Sequence, residues 1–207
     1  MATAVAESSY VCGTSGQPLL YRTVGDVLAA AAERWPLREA LIVRHQGVRL
    51  SYRELDEQVS RLARALLAAG LAPGDRVGIW SPNNLEWVLT QFATARAGLI
   101  LVNINPSYRV TELEYALRKV GCRALIFAPR FRSSDYAEML RSLLPPGALR
   151  GAHDTRAARF PALELLAQLG PPAAEYLGFD ELCVRAAGID AVRVWQSSAP
   201  ASIRTSP

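Results

Sequence analysis

Few of the 207 residues are of types that do chemistry on their own, and their spacing narrows the field. Cys12, Cys122 and Cys183 lie far apart and form no CxxC pair. An odd count with no secretory leader reads as reduced thiols. Cys122, between Gly121 and a β-prone run, reads as a small buried packing residue. His45 and His153 are the only histidines, and neither has a Cys or Glu at metal-ligand spacing. The stretch GTSGQP, Gly13 to Pro18, has the composition of a phosphate loop. It lacks the strand before, the helix after and the lysine that such a loop needs, so it reads as a surface turn. Thr205 and Ser206, taken alone, read as a frayed terminus. Asn83, Asn84, Asn103 and Asn105 have amides that could donate to a ligand. Asparagine at the end of a strand more often caps the next helix or turns the backbone, and that reading is favoured.

Those asparagines matter because of the elements around them. Thr23 opens a helix with Val27, Leu28, Ala31 and Ala32 on one side, ended by Pro36. Ala40 to Arg44 and Val48 to Tyr52 flank Gly47 as a hairpin. Ser51 and Glu54 form a capping box for a long helix whose apolar face is Leu55, Val59, Leu62 and Leu66, with Gly70 as its stop. Arg76 to Trp80 is a strand broken by Ser81-Pro82-Asn83-Asn84. Leu85 to Ala97 is then a helix that turns Val88, Leu89, Phe92 and Ala95 inward. Leu99 to Asn103 shows no alternation, which predicts a strand buried on both faces. Thr111 and Glu114 read as a second capping box for a helix ending at Gly121. Ala124 to Phe127 is a strand and Ser134 to Leu144 a helix. PALELLAQLG fits a short helix and a strand equally, and Phe179 to Gly188 reads as a short helix.

This order, strand and helix alternating from Arg76 to Leu144, predicts an α/β fold with a parallel sheet and right-handed crossovers. Ligands in such sheets gather beyond the carboxyl ends of the strands. The loops there are Ser81 to Asn84, Asn103 to Ser107 and Ala128 to Ser133, none of them Gly-rich. The expected organisation is an arm over residues 1–22, an α/β unit over 23–144 and a weakly patterned continuation over 145–207.

Composition sets outer bounds. Half the residues are hydrophobic and a fifth are charged, which is ordinary for a globular chain. The net charge of +4 comes almost wholly from arginine, and Lys119 is the only lysine. The arginines are scattered rather than clustered, which argues against a nucleic-acid partner. No apolar run is long enough to span a bilayer. MATAVAESSY has neither a basic segment nor an apolar one, so a cytoplasmic chain is expected, with a trimmed organellar form as the alternative.

Taken in order, Ser51-Tyr52-Arg53-Glu54-Leu55, Gly74-Asp75-Arg76-Val77-Gly78-Ile79, Asn83-Asn84-Leu85-Glu86-Trp87, Ala97-Gly98, Asn105-Pro106 and Glu112-Leu113-Glu114-Tyr115 resemble the N-terminal region of AMP-forming acyl-CoA synthetases. These belong to the adenylate-forming superfamily. TQFATARAGLILVNINPSYR and SYVCGTS are most similar to its medium-chain, fatty-acyl branch. The resemblance implies the N-terminal part of that family's large domain, with an incomplete parallel sheet flanked by helices. It implies ATP, Mg²⁺ and coenzyme A as requirements of an intact enzyme that turns a fatty acid into an acyl-adenylate and then a thioester.

The family's phosphate loop, of the form T-S-G-T-T-G-x-P-K-G, is not found, nor are its later motifs. Under the resemblance, Thr205 and Ser206 stand where that loop would begin, with Pro207 in the place of its first glycine. Proline offers no N–H to a phosphate. The expectation is therefore a truncated, catalytically silent piece that needs no cofactor of its own and self-associates through exposed apolar faces. The alternative is a non-catalytic α/β interaction module.

Overall fold

The computed structural model describes residues 16, 20–144, 159–171 and 176–184. Helix α1 (Val24–Arg34) starts at Thr23, whose hydroxyl accepts from the Asp26 N–H at 3.1 Å while the Asp26 carboxylate takes the Thr23 N–H at 3.0 Å. Strands β1 (Glu39–Val43) and β2 (Val48–Ser51) form the expected antiparallel hairpin, turned by a 3₁₀ segment over Arg44–Gln46. Gly47 closes the turn at φ 66°, a left-handed conformation that glycine adopts without strain. Ser51 then caps α2 (Tyr52–Ala68), with the predicted box to Glu54 in place. Val59, Leu62 and Leu66 on its apolar face are completely buried, and Leu55 nearly so.

The central unit follows as β3 (Arg76–Trp80), α3 (Leu85–Arg96), β4 (Ile100–Asn103), α4 (Val110–Val120) and β5 (Ala124–Phe127). A two-residue-per-strand hairpin, β6 (Arg130–Phe131) and β7 (Ser134–Asp135), leads into α5 (Tyr136–Leu143). Strand β8 (Leu165–Gln168), strand β9 (Leu177–Gly178) and α6 (Phe179–Val184) complete the described elements. The five strands lie in the order β4-β3-β5-β8-β9, and every pairing is parallel.

Alternation within the strands sorts two cores. Val77, Ile79, Ala124, Ile126 and Ala167 face the layer of α1, α2, α3 and α6. Trp80, Leu125, Phe127 and Leu166 face α4 and α5. Both faces are covered, which is why β3 and β5 read as unbroken apolar runs.

Several sequence expectations are corrected here. Among the described residues strand β4 is an edge, and Ile100 is 48% exposed, so Leu99 to Asn103 is not buried on both faces. A four-residue run cannot distinguish a central strand from an edge whose outer neighbour is lacking. Val27 faces outward, because only Gly25 and Leu28 of α1 are buried. Helix α3 buries Leu89, Thr90, Ala93 and Thr94, while Val88 and Phe92 are only half-buried. Its threonines escape a polar penalty by donating back to helix carbonyls, Thr90 to Glu86 and Thr94 to Thr90. Helix α4 begins two residues earlier than its Thr-x-x-Glu pattern suggests. Arg109 is the N-cap, and its N–H donates to Glu112 at 3.0 Å. Glu114 instead pairs with Arg159 at 3.0 Å and with Arg118 at 3.7 Å.

The PALELLAQLG segment resolves as strand, paired with β5 through Leu166↔Leu125 and Ala167↔Ile126. Its start is fixed by Arg123, whose carbonyl accepts from the N–H groups of Glu164 and Leu165.

Candidate functional site

The carboxyl ends of β3, β4 and β5 come together as predicted, and an aromatic brace arranges them. Trp80, last residue of β3, stacks on Tyr136 with ring centroids 3.5 Å apart and planes 8° from parallel. The indole N–H donates to the Asn105 carbonyl at 3.2 Å, and the Tyr136 hydroxyl donates to the Pro106 carbonyl. Both rings are completely buried. The loop after β4 is thereby tied to β3 and α5. The Tyr136 N–H bonds Pro129 and the Arg109 guanidinium bonds the Ser134 hydroxyl at 2.6 Å, which brings the β6–β7 hairpin into the same unit. Burial pushes the Tyr136 phenol up to about 12, so it is a neutral donor at any ordinary pH.

Two of the four asparagines, Asn84 and Asn105, follow the capping-or-turn reading. Asn84 caps α3, its amide oxygen accepting from the Trp87 N–H at 2.8 Å and its amide nitrogen donating to the Ser81 hydroxyl at 2.8 Å. The Asn105 side chain turns the backbone by accepting from the Ser107 N–H at 2.9 Å. Asn83 and Asn103 are exposed at the same end.

A helix N-terminus beyond a parallel strand is an anion site when its N–H groups are free. Here first-turn donors of α3 and α5 are already engaged, and at α4 the N–H of the N-cap Arg109 is. Gln46 reaches from the β1–β2 turn to accept the Leu85 N–H at 2.7 Å and to donate to Glu86 at 3.0 Å. Glu112 holds the α4 start, and Asp135 accepts from the Glu138 N–H at 2.9 Å at the α5 start. Each of these helices carries a carboxylate in its first turn. A triphosphate approaching these ends meets a first-turn carboxylate on each helix and, at α3 and α5, donors already committed. Among the described residues no group of three or more His, Cys, Asp and Glu side chains comes together.

Besides Arg109, the positive charge at this end sits in the β6–β7 hairpin, which the sequence reading missed. Arg130 pairs loosely with Asp135 at 3.6 Å. Arg132, at φ 52°, lies over the Phe131 ring at 5.2 Å. The signal was present in Pro129-Arg130-Phe131-Arg132, directly after the β5 carboxyl end, but a two-residue strand has no period to read.

The opposite end of the sheet is structural. Arg123 bridges Asp75 at 2.8 Å and Glu164 at 2.9 Å, linking the residues that precede β3, β5 and β8. Arg96 does the same for the helices. It bonds Asp56 and Ser60 of α2 and reaches the Gly25 carbonyl of α1 at 3.5 Å. Gly25 is needed at this crossing, because a Cβ there would lie 3.2 Å from the Arg96 Cα.

Cys122 is 2% exposed, as expected of a packing residue, and burial pushes its thiol up to about 11. Thr205, Ser206, Cys12 and His153 lie outside the described residues, as does all of Gly13 to Pro18 except Gly16. Among the described residues no helix is long and apolar enough to cross a membrane.

Residues 28–179 match the AMP-binding enzyme family. The chain is 45% identical over 180 residues to the mitochondrial medium-chain acyl-CoA ligase ACSF2 of Macaca fascicularis, covering 84% of this chain and 28% of that one. The human protein of the same name is 43% identical over 188 residues, 88% of this chain and 30% of that one. The chain thus spans under a third of the length of these relatives. Among solved structures, Mycobacterium smegmatis MbtA superposes with a TM-score of 0.63 at 28% identity, covering 78% of this chain and 27% of that one. The anthranilate CoA ligase AuaEII, solved with anthranoyl-AMP, shares the fold at a TM-score of 0.65 and 23% identity, covering 80% of this chain and 28% of that one.

Proposed function

From a chain that belongs to the AMP-binding enzyme family, we propose a role as one wall of a fatty acyl-CoA ligase. Such an enzyme joins a fatty acid to AMP from ATP, releasing pyrophosphate, and then to coenzyme A, releasing AMP. The observation that carries this reading is the 43–45% identity to medium-chain acyl-CoA ligases over most of the chain. The self-capped helices support a division of labour. These residues fix the carboxyl end of the sheet, and the groups that grip the triphosphate and Mg²⁺ lie outside the described residues. Thr205 and Ser206 are the approach to that grip, and the chain alone is catalytically silent. The arginines of the β6–β7 hairpin add a favourable field for polyanionic substrates such as ATP and coenzyme A. The mitochondrial relatives favour the organellar compartment over the cytoplasmic one.

A chimera tests the role directly. Residues 20–184 replace the matching segment of the human medium-chain ligase, and octanoyl-CoA formation is measured. Thioester formation within about tenfold of the parent, a loss of 1.4 kcal/mol or less in transition-state stabilisation, is the expected result. A chimera that folds and binds ATP yet forms no thioester would contradict the proposal.

A further inference from the structure

Apart from Asp26, Glu33 and Arg34, every residue of α1 is apolar or glycine. One side of the helix packs on α2 and α3, with Gly25 and Leu28 buried. Val24, Val27 and Ala31, at helical spacing, form another side, and both valines are exposed. Exposed Leu20 and Tyr21 precede the helix, and Trp35 and Leu37, also exposed, follow it. Six of the eleven large hydrophobic residues that stand exposed among the described ones thus fall within residues 20–37, which makes a patch rather than scatter. Cations bracket it. Arg22 stands before the helix, and Arg34 and Arg38 lie beyond its last turn with their guanidinium carbons 4.8 and 5.8 Å from the centre of the Trp35 ring. Among the described residues none of the three is in an ion pair. Of the carboxylates in the same stretch, Asp26 is engaged with Thr23 at the cap and Glu39 pairs with Arg49 at 2.6 Å, which leaves Glu33.

We propose that this face docks on an anionic lipid bilayer, with α1 lying in the plane of the membrane interface. A helix that is apolar on both sides is ordinarily covered on both. What covers the outer side takes Val24, Val27 and Leu37 into an apolar layer and meets the arginines at both ends with negative charge. Anionic lipid does both at once. Its acyl chains receive the aliphatic side chains, the Trp35 indole sits at the level of the headgroups, and the arginines lay their stems along the apolar side and reach the phosphates. The net charge of +4 acts in the same direction. At about 16 Å the helix is too short to span a bilayer, so it lies on one. The inference stands apart from the ligase reading, because its test contains no nucleotide, coenzyme or fatty acid.

The 207-residue chain, dilute enough to be monomeric, is sedimented with vesicles of phosphatidylcholine alone or of equimolar phosphatidylcholine and phosphatidylglycerol. The expected result is binding to the anionic vesicles, about tenfold or more tighter than to the neutral ones and reversed by salt. Replacing Arg34 and Arg38 together by Gln should weaken it about 30-fold, about fivefold for each charge. Leu37→Glu, at a side chain 82% exposed, should abolish it, whereas Ile100→Glu at the β4 edge should bind like the parent. Every one of these positions is exposed, and circular dichroism checks that the variants keep the fold. No binding to either vesicle, which would leave a protein as the occupant, would overturn the proposal. So would equal binding to both, a Leu37→Glu chain that binds like the parent, or loss of binding in Ile100→Glu.

Discussion

At the scale of single residues, Tyr136 separates two contributions that a contact map merges. Tyr136→Phe keeps the stack on Trp80 and loses only the bond to the Pro106 carbonyl, so it should cost about 1 kcal/mol. Tyr136→Ala also empties the site and should cost about 3–5 kcal/mol. Urea midpoints measure both, and equal losses would mean that the stack contributes nothing. The phenol also sets a pH limit. Its folded value of about 12 lies above the ordinary value of about 10. Stability is therefore at its full value below pH ~10 and falls as pH rises toward 12, because the unfolded chain gives up the proton first. The Tyr136→Phe chain should lack that component of the alkaline loss. Cys122 supplies a separate check. Being buried with a raised pKa, it should react with a thiol reagent only on unfolding, and rapid labelling of the native chain at Cys122 would refute the packing described.

At the scale of elements, the caps and the sheet-end clamp carry the predictions. Asn84→Ala removes the α3 cap and should cost about 1 kcal/mol. Arg123→Met breaks the bridge that joins the starts of three strands. Its groups are each about a quarter to a third exposed, so the loss should be modest, about 1–2 kcal/mol and smaller at high salt. A loss that ignores salt would point to packing of the side-chain stem instead.

The same elements show what was legible in the sequence. Boundaries were readable where Ser51 and Glu54 satisfy backbone groups at the α2 start and where Gly121 takes the left-handed turn that ends α4, whereas the Thr111-x-x-Glu114 pattern hid the Arg109–Glu112 box at the α4 start. They were misread where the partner is distant or the element is too short to show a period. The β6 and β7 strands have two residues each, and β8 becomes a strand only because β5 lies beside it. The Gln46 contact with the Leu85 N–H, 39 residues away, also went unread, although the α3 start itself was placed correctly. The brace at the carboxyl end was invisible for the same reason. Nothing local to Trp80 or Tyr136 announces that their rings will stack across 56 positions of sequence.

At the scale of the whole molecule, the two-sided parallel sheet of the described residues ends on one side at β4, with Ile100 open to solvent. Leu20, Tyr21, Val24, Val27 and Leu37 add exposed apolar surface around α1. Such surface favours association. Sedimentation velocity should show the chain self-associating as its concentration rises, and a monodisperse monomer across that range would contradict this. The central claim is that these residues frame a ligand-binding end without gripping a triphosphate. Pyrophosphate release tests it most directly, with the purified chain in ATP, Mg²⁺, coenzyme A and octanoate, beside a full-length medium-chain ligase. The account predicts steady release from the full-length enzyme and none above the blank from this chain. Sustained, octanoate-dependent release from these 207 residues alone would contradict it.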